Sequence, residues 1–218
     1  MQRPRALILD LDGTLILSND AHARAWQQAL ADEGILRSFD EVRPLLGMGG
    51  DQLLPTLTGI EGESEQGKRL TKGWQRHFLP TVPGLQPAPG ARELLLTLRE
   101  LGLPYILGTS GEAAVIDTLV ERANVADLTP QRVTASDVEN SKPRPDIVQV
   151  AAQRLGVEPG QALMVGDTVF DAQAARKAGV PSLLLRCGGS LEGRELPEGV
   201  LEVLADPAEL AQALRAAR

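Results

Sequence analysis

The chain has 218 residues, enough to bury a sizeable core as one domain or as a domain carrying an insertion. Its 43% hydrophobic and 23% charged residues are ordinary for a globular protein, and a formal net charge of −7 argues against a nucleic-acid partner. One cysteine, Cys187, excludes an internal disulfide framework, and no stretch approaches a membrane span or a signal peptide, so the cytoplasm is the expected location.

Residues 6–9 form an apolar run of strand length that ends abruptly in Asp10 and Asp12. In extended geometry residues two apart point the same way, so the two carboxylates share a face while Leu11 points inward. Carboxylates that close repel, and one stays protonated unless a cation sits between them. Mg²⁺, which takes hard oxygen ligands, suits the pair; the alternative is a strand end with two exposed acids in a loop. Gly13 permits a tight turn there and Thr14 offers a hydroxyl. The run Asp10-Leu11-Asp12-Gly13-Thr14-Leu15 resembles the first motif of the haloacid dehalogenase superfamily, most of whose members are Mg²⁺-dependent phosphatases. The resemblance implies that Asp10 is a nucleophile forming an aspartyl-phosphate, and that Asp12 acts as general acid and then base.

Ser18, Asn19 and Asp20 read as helix-capping residues ahead of a helical stripe through Ala25, Trp26, Ala29 and Leu30 that ends near Gly34. Superfamily members with a helical cap begin their insertion here, and several sugar-phosphate members carry a His-x-x-Ala-Trp pattern like His22 to Trp26. His22 is therefore either a substrate contact or a solvent-facing helix residue. Short helices follow over 40–46, 50–57 and 63–78, broken at Gly47-Met48-Gly49-Gly50. That turn either presents backbone amides to a ligand, with Gly49 at its centre, or simply connects two helices. Lys72, Trp74, Arg76 and His77 give the last of these helices polar groups that reach substrate or only water. Pro80, Pro83, Pro87 and Pro89 with Gly84 and Gly90 mark a hinge, and its partner lies near 15–19. The expected organisation is a core of residues 1–16 and 84–218 with a helical cap of residues 17–83.

Beyond the hinge, helices over 91–101, 112–123, 146–155, 168–178 and 207–217 alternate with strands over 104–107, 132–135, 162–165 and 182–185. This predicts an α/β fold with a doubly wound parallel sheet, Rossmann-like, whose ligands bind at strand carboxyl ends. Thr109 and Ser110 end one such strand and resemble the superfamily's second motif, where a hydroxyl and a backbone N–H bond phosphoryl oxygens. Ser141-Lys142-Pro143-Arg144-Pro145 resembles the third motif; an ammonium there reduces repulsion between an anionic nucleophile and an anionic substrate. Gly166-Asp167-Thr168-Val169-Phe170-Asp171 resembles the fourth. Carried over, Asp167 completes a Mg²⁺ site with Asp10 and the backbone carbonyl of Asp12, while Asp171 holds Lys142 or a metal-bound water.

The expected function is Mg²⁺-dependent phosphomonoester hydrolysis of a small phosphorylated metabolite, of the phosphoglycolate phosphatase type, by a monomer or small homo-oligomer without nucleic-acid or membrane partners. With 3% aromatic residues for base stacking, a small organic or sugar phosphate is preferred to a nucleotide. Dehalogenation is disfavoured because members with that activity lack the second aspartate, and Asp12 is present. A beta-phosphoglucomutase-like transfer is the runner-up, although the arginine that follows the glycine loop in that subgroup has no counterpart beside Asp51. A non-catalytic binding role fits poorly with an intact set of Asp10, Asp12, Lys142 and Asp167.

Overall fold

In the computed structural model, which describes residues 4–217, the chain enters on β1 (Ala6–Leu9) and a two-residue strand β2 (Ile16–Leu17). Four helices follow, α1 (Asn19–Asp32), α2 (Phe39–Val42), α3 (Gly50–Thr58) and α4 (Glu65–Phe78), before the return on β3 (Gln86–Pro87). The remainder is α5 (Ala91–Glu100), β4 (Tyr105–Gly108), α6 (Ala113–Arg122), β5 (Arg132–Val133), α7 (Asp146–Leu155), β6 (Ala162–Gly166), α8 (Val169–Lys177), β7 (Ser182–Leu185), β8 (Val200–Leu204) and α9 (Pro207–Ala216).

Strand β1 lies inside a six-stranded sheet of order β5-β4-β1-β6-β7-β8, in which every paired strand is parallel. All four β1 residues are buried, as a strand covered on both faces requires, and this is why the run shows no polar alternation. Its side chains serve two layers in turn. Leu7 and Leu9 pack into the cluster that holds Leu94 and Leu98 of α5, Ile116 of α6 and Leu210 of α9. Ile8 packs on the opposite side with Ile147 and Val148 of α7 and Ala174 of α8. The sheet is thus doubly wound, as the alternation of elements predicts.

The inserted helices leave and rejoin the sheet through β2 and β3, which pair antiparallel with Ile16 opposite Pro87 and Leu17 opposite Gln86. Within the insertion α1 packs on α4, and the rings of Trp26 and Trp74 stack with centroids 5.4 Å apart. The expected helix over 40–46 is instead the short α2 followed by a tighter 3₁₀ turn, Arg43–Leu45, because Pro44 lacks the N–H that would continue the α-helical ladder. A 3₁₀ turn, Leu79–Gly84, occupies the proline-rich hinge. Strand β8, unforeseen in the sequence, is an edge strand whose Leu201 and Glu202 are exposed, so it carries neither a buried run nor a clean alternation.

Leu7 is fully buried between β4 and β6, so Leu7→Ala should lower the unfolding free energy by about 2–5 kcal/mol, read as a lower urea midpoint at unchanged slope.

Candidate active site

Three parallel strands deliver side chains to one end of the sheet. Asp10 follows β1, Thr109 follows β4 and Asp167 follows β6, all buried, and the amide of Asp10 donates to Val165 on the neighbouring strand at 2.8 Å. Lys142 arrives from the loop before α7, and Asp171 from the first turn of α8.

Lys142 is 1% exposed, and its ammonium donates to Asp10 Oδ1 and to Asp171 Oδ1, each at 2.7 Å. Burial opposes its charge, but the two carboxylates outweigh that and hold its pKa above the ordinary lysine value. Asp171 uses its second oxygen to close the start of α8, accepting from the Thr168 hydroxyl at 2.6 Å and the Thr168 amide at 3.1 Å. Both of its oxygens are therefore engaged, which makes it the holder of Lys142. Ser110 supports the same lysine from another side, its hydroxyl accepting the Lys142 amide at 3.3 Å. Thr109 is buried and accepts the Gly111 amide at 3.0 Å, which leaves its own hydroxyl proton to donate.

Asp167 Oδ2 accepts from Asn19 at 2.7 Å and Ser190 at 3.2 Å. Carboxylate oxygens of Asp10, Asp167 and Asp171 lie within 4.8 Å of one another. Burial pushes Asp10 up to about 7 against the pull of Lys142, and burial with the charges of Asp171 and Asp10 pushes Asp167 well above the carboxylate range. Three buried carboxylates thus face one ammonium, a deficit that a divalent cation removes, and the hard oxygen donors suit Mg²⁺. Gly13, at φ +75°, turns the chain beside this cluster where a Cβ would meet Asp167 Oδ2 at 2.2 Å.

The carboxylate of Asp12 stands apart from that cluster. Its Oδ1 accepts from Ser18 at 2.5 Å and lies 2.8 Å from His22 Nε2. Burial disfavours its charge, but His22 and Ser18 outweigh burial and hold its pKa below the usual value. His22 is 7% exposed, which overturns the solvent-facing alternative. Its ring stacks on Phe78 with centroids 3.8 Å apart, and Trp74 and Trp26 continue the stack. Helical spacing alone placed His22 on α1 without showing that α4 would cover it.

Asp10, Asp12, His22, Gly49, Thr109 and Ser110 line one cavity of about 70 Å³, roofed by Leu46, Met48, Trp26 and Trp74 from the insertion. Gly49 is buried where a Cβ would meet that of Ser141 at 2.4 Å, so glycine lets the insertion approach the residue before Lys142. Contacts the sequence did not disclose hold the two layers together. Asp51 accepts the Ser141 amide at 3.0 Å, and Gln75 donates to Glu112. Arg43 donates to Asp20 at 2.6 Å, Ser190 at 3.0 Å and the Gly188 carbonyl at 2.6 Å. No spacing links such residues along the chain; each pair joins distant elements. Arg76 and His77, two candidates on α4, bind Asp32 instead, and Lys72 lies in an adjoining groove.

A doubly wound sheet with buried aspartates and a lysine at its strand ends, roofed by inserted helices, defines an α/β protein with a helical cap over an acidic strand-end site. Residues 4–179 match the model described as haloacid dehalogenase-like hydrolase, and the chain belongs to that family. It is 31% identical to Protein CbbY, plasmid, of Cupriavidus necator over 94% of this chain and 87% of that protein. It is 32% identical to the phosphoglycolate phosphatase of Shigella boydii over 84% of this chain and 82% of that enzyme. A crystal structure of a hydrolase from Pseudomonas syringae matches with a TM-score of 0.88 at 30% identity, over 97% of this chain and 98% of that one. The protein is an enzyme of the phosphatase type within this family.

Raised carboxyl pKa values mean that the metal-free folded state holds protons the unfolded chain has lost between pH 3.8 and about 7. Stability from these groups is present below that window and is lost as pH rises through it. In chelator the melting temperature should therefore fall from pH 5.5 to pH 7.5, and added Mg²⁺ should raise it more at pH 7.5 than at pH 5.5.

Proposed function

We propose that the enzyme is a Mg²⁺-dependent phosphomonoesterase that acts on a small organic or sugar phosphate through an aspartyl-phosphate on Asp10. The observation that carries this reading is the buried cluster of Asp10, Asp167, Asp171 and the ammonium of Lys142, from which Asp10 reaches the wall of a small roofed cavity. Asp10, Asp167 and the backbone carbonyl of Asp12 would hold the ion. Bound there, Mg²⁺ supplies positive charge against the nucleophile and the phosphoryl oxygens, so that two anions can meet.

A carboxylate oxygen of Asp10 attacks phosphorus in line, and the bond from phosphorus to the ester oxygen breaks. Asp12, ionised in the free site, takes up a proton from solvent as the phosphate dianion enters beside it and gives that proton to the departing alkoxide, which leaves as the alcohol. Water then attacks the phosphorus of the acyl-phosphate and passes a proton back to Asp12, which frees inorganic phosphate and regenerates Asp10. Lys142 neutralises the Asp10 side of the reacting group, while the Thr109 hydroxyl and the amides beyond β4 bond its oxygens. His22 and Ser18 fix the carboxyl of Asp12 in direction, and His22 also forms part of the cavity wall. Residues 17–83 serve as the cap that excludes bulk water from the acyl-phosphate, and residues 1–16 with 84–218 as the core that carries the chemistry. Support for hydrolysis of a small phosphate ester comes also from relatives named for phosphoglycolate phosphatase activity.

Phosphate release from a panel of small phosphomonoesters tests the reading. Wild type should release phosphate with Mg²⁺ and not with chelator, and Asp10→Asn should lower the rate by about 10³-fold or more while the protein stays folded. Undiminished release by Asp10→Asn would refute the nucleophile.

A further inference from the structure

Among the described residues no lysine or arginine lines the cavity above Asp10 and Asp12, and its third acid is Glu112. Glu112 is half-buried ahead of α6 and accepts a hydrogen bond from Gln75 of α4, so its carboxyl is held at the seam between the insertion and the sheet. The residue before Gln75 is Trp74, whose ring lines the same cavity and whose Nε1 is buried without a hydrogen-bond partner. A buried donor left unpaired is costly, and this one belongs to a side chain that lines the cavity. The groove outside continues this balance: it shares Gly50, Ser110 and Glu112 with the cavity and sets Lys68 and Lys72 against Asp51, Glu63, Glu112 and Glu139. Lys68 already lies 3.7 Å from Glu63.

We propose that Glu112 and Trp74 select the leaving group of the phosphatase reaction, favouring esters of uncharged, hydroxylated alcohols over esters whose alcohol carries a carboxylate near the ester oxygen. The inference rests on the phosphomonoesterase reading and adds its substrate class. A hydroxyl both donates and accepts, so one such group satisfies the carboxylate of Glu112 and the indole N–H of Trp74. A substrate carboxylate satisfies only the indole and meets Glu112 as a like charge, with no lysine or arginine among the described residues of the cavity wall to offset it. The phosphoryl charge itself lies on the other side, over Lys142 and the strand ends.

The test compares kcat/KM, with Mg²⁺, for glycerol 1-phosphate and 2-phosphoglycolate, with p-nitrophenyl phosphate as a general reporter. Wild type should prefer glycerol 1-phosphate by about tenfold or more, and Glu112→Gln, which can still accept from Gln75, should shrink that ratio about tenfold. Gln75→Ala removes the same hydrogen bond but leaves the charge, so it should keep the wild-type ratio. Trp74→Phe keeps an aromatic ring in the stack without the donor, and should lower kcat/KM for glycerol 1-phosphate. A wild-type preference for 2-phosphoglycolate, or an unchanged ratio in Glu112→Gln, would overturn the assignment and leave the phosphatase reading standing. Failure of wild type to release phosphate from all three esters would overturn that reading and this one together.

Discussion

Three aspartates and a lysine are buried together, and the rest of the molecule is arranged so that this is tolerable. Removing a charge from water costs several kcal/mol even after relaxation, and attraction between ions repays that only when the remaining hydrogen-bonding positions are filled. Here Lys142 spans Asp10 and Asp171, and Asp171 in turn closes the first turn of α8 through Thr168. Asp167 is met by Asn19 and Ser190. Among the described residues no second cation meets these carboxylates, and burial together with their mutual repulsion raises the pKa values of Asp10 and Asp167.

A parallel sheet is well suited to such a cluster. Its interior strands are apolar and buried to their last residue, so the first polar side chain after each strand emerges at one common edge. Asp10, Thr109 and Asp167 are those residues for three adjacent strands. The sheet thereby converts distance along the chain into proximity: Lys142 and Asp10 are in contact across 132 positions. The inserted helices complete the enclosure from above through Arg43, Asp51 and Gln75, each bonded to a different part of the strand-end surface.

Much of this is written locally. The apolar runs before Asp10 and Asp167 mark both the strands and the site, because a carboxylate closing such a run has no reason in packing alone. Lys142 is legible for a related reason, as one of few lysines, set just ahead of two prolines at a helix start. Other features have no local signature. The ladder of β2 and β3 is too short for a period, and β8 gains its shape from β7 rather than from its own pattern. Burial of His22 depends on Phe78 and Trp74, more than fifty positions away, and the pairing of Gln75 with Glu112 depends on how the insertion sits on the sheet. Such pairings are settled by tertiary packing, which leaves no spacing to read.

The aromatic stack links two properties usually treated apart. Trp26, Trp74, Phe78 and His22 form one run of parallel rings through the middle of the inserted layer, and the last of them touches Asp12. Order in the interior of the helices and the direction of an acid on the sheet are therefore a single mechanical quantity. Substitutions inside the helical layer reach the orientation of Asp12 through ring-to-ring contact. The layer above the site is a lever arm whose stiffness is set by ring against ring.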